Sequence, residues 1–248
     1  MSRLPLLTLS ALLLSQAAAA SDYVFTPAAS DGASLSFEAA SGTRDAGAFG
    51  GRGTEALAQA EFAPMAGWTV ALRTSVLDDR AGGTSALGYG AELRYAGLPA
   101  GLGGGLGYRY DYQGVSVPYA RLGWVTTDAA YPLALSAVVE FPQAGWRDAA
   151  DVIVSAAQDL PCLGALRCAM EIAGEDLEGF ADPQEAEGGA KIVLGPTLAW
   201  RGAGGSGLRL FAGWIHAATA NEPGRAGYAD YRGARDGFML RLATRFGI

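Results

Sequence analysis

The chain has 248 residues, of which 50% are hydrophobic, 17% are charged and 36 are glycine. Its formal net charge of −7 and isoelectric point near 4.7 exclude a basic nucleic-acid-binding surface as the organising feature. Glycine disfavours helices, so the composition favours strands and turns in one barrel-sized domain. Beyond the first twenty residues we find no apolar run of about 18 residues, which a membrane-spanning helix requires.

The first twenty residues have the three parts of a secretory signal peptide. Arg3 supplies the basic region, residues 4–14 the apolar core, and residues 18–20 the small side chains before a cleavage site. We expect cleavage after Ala20, which leaves residues 21–32 as a short periplasmic segment and residues 33–248 as the folded domain. An uncleaved anchor is the alternative, although the apolar core is short for a span.

From residue 33 onward, apolar side chains recur at every second position, which is the period of a strand with one apolar face. In chain order these faces occupy residues 35–39, 56–62, 68–76, 87–95, 102–112, 118–124, 133–141, 152–156, 166–172, 192–200, 208–214 and 238–248. Residues 148–158 fit either a strand or a short amphipathic helix. Pro196 lies within an apolar face, and we expect a bulge there because proline cannot donate a ladder hydrogen bond.

The last segment, residues 237–248, has one apolar face and one face of basic and small residues. Its two arginines, Arg241 and Arg245, lie on the second face. The segment resembles the closing strand of Gram-negative outer-membrane β-barrels, which alternates apolar and polar residues and ends in an aromatic. Here Phe246 is followed by Gly247 and Ile248. The resemblance implies a porin-like barrel in outer-membrane lipid, recognised by the barrel assembly machinery through residues 237–248.

Connection lengths alternate along the chain, and this rhythm is typical of membrane barrels. The connections at residues 64–67, 98–101, 128–132, 159–164 and 202–207 are short, whereas those at 42–53, 142–148, 174–189 and 217–236 are longer. The hairpin near Gln113 and Gly114 is an exception. We therefore predict an all-β fold, a single transmembrane antiparallel β-barrel of about 12 strands with short periplasmic turns and longer external loops.

The polar faces of the strands carry many glycines beside their charges, which suits a crowded interior better than a solvated surface. Aromatic residues gather near strand ends, as in interfacial girdles. We expect the charged face to line the lumen. The predicted lining residues are Arg73, Glu92, Arg94, Arg109, Asp111, Arg121, Glu140, Arg167, Glu171, Arg209, Arg241 and Arg245. They form either a narrow polar pathway or a network that closes the lumen while satisfying buried charges.

Three smaller features suggest sites. Cys162 and Cys168 are the only cysteines of an exported chain, so we expect a disulfide across a short turn. His216 is the only histidine, and a membrane-embedded lipid hydrolase would depend on it. The acidic stretch 174–189 could bind Ca²⁺ through oxygen ligands, but a solvated loop is the simpler interpretation. The sequence predicts neither a cofactor nor a metal site.

Taken together, these patterns predict a non-enzymatic outer-membrane channel for small polar solutes. The alternatives are a plugged barrel with a structural or adhesive role, a lipid hydrolase using His216, and a soluble periplasmic β-sandwich.

Overall fold

The computed structural model describes residues 32–42, 53–79, 84–111, 114–126, 130–144, 150–175, 177, 191–202, 206–217 and 236–248. Twelve strands are present: β1 Ala33–Gly42, β2 Gly53–Phe62, β3 Trp68–Asp79, β4 Thr84–Tyr95, β5 Leu102–Tyr110, β6 Ser116–Val125, β7 Leu133–Glu140, β8 Asp151–Leu160, β9 Leu166–Glu175, β10 Lys191–Arg201, β11 Gly207–Ala217 and β12 Asp236–Gly247. A short 3-10 turn, Pro99–Gly101, precedes β5. None of the helices in these ranges is long and apolar enough to cross a membrane.

Every strand pairs antiparallel with the next, and β12 pairs with β1 to close the sheet. In that last pairing Leu35 lies opposite Phe246, and the Ile248 amide donates to the Ala33 carbonyl at 2.9 Å. The predicted all-β antiparallel barrel is therefore confirmed. The soluble β-sandwich alternative is wrong, because a single sheet closes on itself and leaves no second sheet to pack against it.

Side chains alternate strictly between the two faces of the closed sheet. Large apolar residues stay exposed on the outside, such as Leu106 at 70% and Phe238 at 70% relative accessibility. The other parity is buried and contains most of the charged groups. A belt of exposed apolar side chains around a whole barrel exceeds any patch that water tolerates, and it is the outer surface expected of a transmembrane β-barrel.

The barrel has two different ends. The connections at residues 63–67, 96–101, 126–132, 161–165 and 202–206 lie at one end with the start of β1 and the finish of β12; we call this the turn end. The opposite, loop end has the longer connections 43–52, 141–150, 176–190 and 218–235. It also has the two short connections 80–83 and 111–115, so the sequence anticipated only one of its two tight hairpins.

The ambiguous stretch 148–158 contributes to β8, Asp151–Leu160, and not to a helix. Its neighbours decide the structure, since β8 forms ladders with both β7 and β9. Ile153 faces inward at 6% accessibility, while Val152 and Val154 lie exposed on the outside. Two partner strands supply backbone hydrogen bonds that an isolated amphipathic helix would have to make alone.

The bulge expected at Pro196 does not form. Leu194 pairs with Trp214 and Thr197 pairs with Phe211, so the register is the same on both sides of the proline. Gly195 and Pro196 have no partner in the β10–β11 ladder, although both pair with β9. A Cβ on Gly195 would lie 2.1 Å from the Ala212 carbonyl oxygen, so close backbone approach replaces the bulge.

Candidate functional site

The interior of the barrel holds all twelve predicted lining residues. Eleven lie within strands, and Asp111 directly follows β5. Each belongs to the inward-facing parity of its strand. The same face also carries Glu38, Glu55, Glu61 and Asp151, which the sequence pattern placed there too.

At the turn end, Glu61 of β2 bridges two arginines. It contacts the Arg94 guanidinium, and its Oε2 lies 3.4 Å from Arg245 Nη2. The Gln59 amide donates to Glu61 Oε1 at 2.9 Å. Nearby, Arg167 Nη2 donates to Asp159 Oδ2 at 2.7 Å. One carboxylate thus holds side chains from three separate strands around this mouth.

Midway along the barrel, Glu92 of β4 and Tyr119 and Arg121 of β6 form a second group. Arg121 Nε lies 2.9 Å from Glu92 Oε1, and the Tyr119 hydroxyl donates to Glu92 Oε2 at 3.2 Å. The Arg121 and Arg73 guanidiniums lie 5.8 and 6.0 Å from the centre of the Tyr119 ring. Such positions combine ion pairing with cation–π attraction.

Two further ion pairs lie on the inner wall of the barrel. Arg109 donates to Glu140, and both side chains are buried. Arg241 Nε lies 3.1 Å from Glu38 Oε1. These pairs compensate charges that would otherwise be costly to remove from water.

Two more carboxylates bind neighbouring strands together. Glu171 of β9 contacts Thr197 of β10 and Arg209 of β11, so three consecutive strands share one carboxylate. Asp111 Oδ1 accepts a hydrogen bond from the Val115 amide at 2.9 Å and so closes the β5–β6 turn.

The ion pairs share a geometry that bears on whether the lumen is closed. Each of the ion pairs described above joins adjacent strands or strands separated by one intervening strand, for example β4 with β6 and β9 with β11. Opposite walls of a closed twelve-stranded barrel lie six strands apart. The paired side chains therefore run along the wall rather than across the lumen.

Inward glycines make this wall-hugging arrangement possible. A Cβ on Gly107 would lie 2.1 Å from Tyr119 Cζ, so the tyrosine ring occupies the space above that glycine. A Cβ on Gly105 would lie 3.1 Å from Glu92 Oε1 and from Arg94 Cγ. Gly213 accommodates the Phe211 ring in the same way, at 2.4 Å. Inward glycines thus receive large side chains from a neighbouring strand, as at Gly107, or from the same strand, as at Gly213.

Part of the interior is apolar, which the sequence analysis did not anticipate. Toward the loop end of β7 to β12, a belt of inward side chains is almost completely buried: Val138, Ile153, Ala173, Val193, Ile215 and Met239. Strand periodicity assigned these residues to the inward face but not to a common patch. The register brings them side by side, with Val138 opposite Ile153 and Val193 opposite both Ala173 and Ile215.

The smaller features also have positions in the barrel. Cys162 and Cys168 form a disulfide with Cα atoms 5.5 Å apart at the turn end of the β8–β9 hairpin. His216 lies on the outward parity, where its ring stacks 5.4 Å from Trp214, so the structure does not favour the hydrolase alternative. Most of the acidic stretch 174–189 falls outside the described residues. Within the described ranges no three His, Cys, Asp or Glu side chains converge to hold a metal ion.

The sequence matches no protein-family model and no curated protein. Solved structures do resemble it. An outer membrane channel from Pseudomonas putida F1 aligns over 92% of this chain and 98% of its own, with a TM-score of 0.59 and 12% identity. The NanC porin aligns over 86% of this chain and 100% of its own, with a TM-score of 0.57 and 10% identity. The KdgM porin aligns over 87% of this chain and 99% of its own, with a TM-score of 0.52 and 9% identity. The chain therefore has the porin-like fold of an outer-membrane β-barrel.

Three charged groups of the turn end, Glu61, Asp159 and Arg201, were missing from the predicted lining set. Asp159 is the penultimate residue of β8 and Arg201 is the last residue of β10, and the sequence pattern assigned Asp159 to the turn. Strand ends are the least certain part of any pattern-based assignment. The alternation itself was the available signal, because Arg201 continues the inward parity of Thr197 and Ala199.

Proposed function

We propose that this chain is a narrow outer-membrane channel, not an enzyme, that passes small polar solutes along a lumen lined by paired Arg and Asp/Glu side chains. The observation that best supports this proposal is that these ion pairs lie along the barrel wall, between strands that are close neighbours in the sheet. A network built to close the lumen would link opposite walls. Among these pairs, the more exposed Arg167 and Asp159 offer hydrogen-bond donors and acceptors to a solute without having to separate first.

The proposal includes a location. Residues 1–20 act as a signal peptide, residues 21–32 form a short periplasmic segment, and residues 33–248 make up the barrel. The turn end faces the periplasm, since both ends of the sheet, β1 and β12, meet there. The assembly machinery recognises residues 237–248, and outer-membrane lipid covers the exposed apolar face.

Similar structures support the same role. Two of the compared structures are named as porins and one as an outer membrane channel. The KdgM porin has also been solved in complex with disordered oligogalacturonate. By the same logic, a polar solute is the cargo we assign to this chain.

Single-channel recording in planar bilayers tests the proposal. Folded protein should give discrete conductance steps, and replacing both Arg241 and Arg245 with Gln should shift the ratio of cation to anion permeability. Replacing the outward-facing Leu242 of the same strand with Met should leave that ratio unchanged. Silence from correctly folded protein would refute the channel. If the double arginine variant changed only the folding yield, the plugged barrel would be the better description.

A further inference from the structure

The turn end of the lumen has an excess of positive charge among its described residues. Its inward side chains include four guanidiniums, those of Arg94, Arg167, Arg201 and Arg245, which we call the turn-end arginine cluster. The carboxylates in contact with this cluster are Glu61 and Asp159. In these ion pairs, guanidiniums therefore outnumber the carboxylates that they contact.

Both of these carboxylates already pair with arginines other than Arg201. Glu61 contacts both Arg94 and Arg245, and Asp159 lies 2.7 Å from Arg167. Within the described part of the chain, Arg201 forms no ion pair within 4.0 Å. Arg201 lies near enough to Arg167 and Arg245 for their like charges to repel its own, and near enough to Asp159 to be attracted by it. Like charges held this close favour the binding of an additional anion.

These groups are also accessible. The Arg167 and Asp159 side chains are 35% and 28% exposed, whereas Arg109 and Glu140 in the interior are 6% and 3% exposed. Arg94 and Arg245 are less exposed than Arg167, at 18% and 15%, but more exposed than Arg109 and Glu140. The turn-end arginine cluster is therefore more accessible to a solute than that deeper pair, with Arg167 its most exposed paired member. An Arg guanidinium presents planar paired donors that match the oxygens of a carboxylate or phosphate.

The neighbouring wall leaves room for such a solute. At the turn end, the inward positions of β5 to β8 include Gly103, Gly123, Val125, Ala134 and Ala157, all small or apolar. Val125, Ala134 and Ala157 pack together as one patch. The turn end of the lumen therefore has arginines on one side and small uncharged residues on the other. The uncharged patch offers no carboxylate that would pair with the arginines in place of a solute.

We infer that the turn-end arginine cluster is a binding site for small oxyanions, with Arg201 as its principal ligand. This inference rests on the proposed function and names the solute class that the channel takes. A carboxylate or phosphate group leaving the lumen is held by Arg201 together with Arg167 or Arg245. The extra positive charge also raises the local anion concentration and so favours anions over cations.

Current block by succinate tests the site in bilayers containing the folded full-length barrel. Succinate should reduce the potassium chloride current, and Arg201→Gln should raise its half-blocking concentration about tenfold, as the loss of one charge-assisted contact predicts. Glu61→Gln should act in the opposite direction by exposing more positive charge. Trp200→Phe is the matched control, because residue 200 is the lipid-facing neighbour of Arg201. Higher salt should weaken the block in every variant.

The outcomes separate the site from the channel. Normal conductance with the same succinate block in the wild type and in Arg201→Gln would overturn the site and leave the channel intact. If the folded protein does not conduct, the channel proposal fails, and calorimetric titration of the detergent-solubilised barrel with succinate decides the site. Binding that weakens in Arg201→Gln would uphold it, and absence of binding would overturn it.

Discussion

Pairs of an inward glycine and an inward aromatic ring determine how side chains pack in the barrel interior. Tyr119 lies over Gly107 and Phe211 lies over Gly213, so neither ring points at the centre of the lumen. The sequence shows that the inward parity of β5 is rich in glycine. It does not show which ring each glycine receives, because that depends on the stagger between neighbouring strands.

Gly107→Ala tests this arrangement. The added methyl group would lie 2.1 Å from Tyr119 Cζ, so the ring must leave the wall and lose its hydrogen bond to Glu92. We expect a loss of about 1–3 kcal/mol, the usual cost of overpacking. Urea titration of the barrel in lipid vesicles measures it.

Two further variants complete that experiment. Gly207→Ala is the matched control, since its new Cβ would meet the Trp200 carbonyl at an ordinary 3.4 Å. In a Tyr119→Ala background the cost of Gly107→Ala should largely disappear. An equal cost in both backgrounds would mean that the ring is not the obstacle.

At the scale of elements, local pattern and tertiary pairing contributed differently. The parity of nearly every strand could be predicted from alternation alone, and with it the inward parity of the twelve charged residues. The state of residues 148–158 could not, because their pattern fits two periods and only the ladders with β7 and β9 select the strand. The close backbone approach of β10 and β11 at Gly195 could not be predicted for a related reason, since it depends on the partner strand.

The disulfide of the β8–β9 hairpin gives a prediction at this scale. Folded protein should resist thiol labelling until it is reduced, since Cys162 and Cys168 are bonded to each other. Replacing both with Ser should cost about 2 kcal/mol, as expected for a short cross-linked loop. Conductance should not change, because Cys168 belongs to the outward parity of β9. Ready labelling of unreduced folded protein, or altered conductance in the double serine variant, would contradict this account.

For the molecule as a whole, the apolar outward face determines which environment the barrel is suited to. Strand number, closure and the sidedness of each strand were all accessible from the sequence, because lipid and lumen impose opposite demands on alternate residues. The apolar belt inside β7 to β12 was not, because alternation reports which way a residue points and not which inward residues meet. The charge excess at the turn end was hidden by the uncertain ends of β8 and β10.

A single charge placed on the outside tests the membrane assignment. Leu106 lies at the centre of β5 and is 70% exposed, so Leu106→Arg should destabilise the barrel by about 2–4 kcal/mol in lipid vesicles. Leu163 is 85% exposed in the β8–β9 turn, and Leu163→Arg should change stability by less than about 0.5 kcal/mol. Equal effects at the two positions would mean that lipid does not cover the middle of the barrel.

The two positions without a partner in the β10–β11 ladder, Gly195 and Pro196, have a consequence for the register of that hairpin. Sliding one strand by two residues preserves which side chains face lipid, so facing alone cannot reject that error. Such a slip would move Val193 or Thr197 to the place of Gly195, where a Cβ would come within 2.1 Å of the Ala212 carbonyl oxygen. Only glycine fits at that crossing. Gly195 therefore favours the observed register of β10 and β11 over a register shifted by two residues, because the shifted register would place a side chain at this close contact.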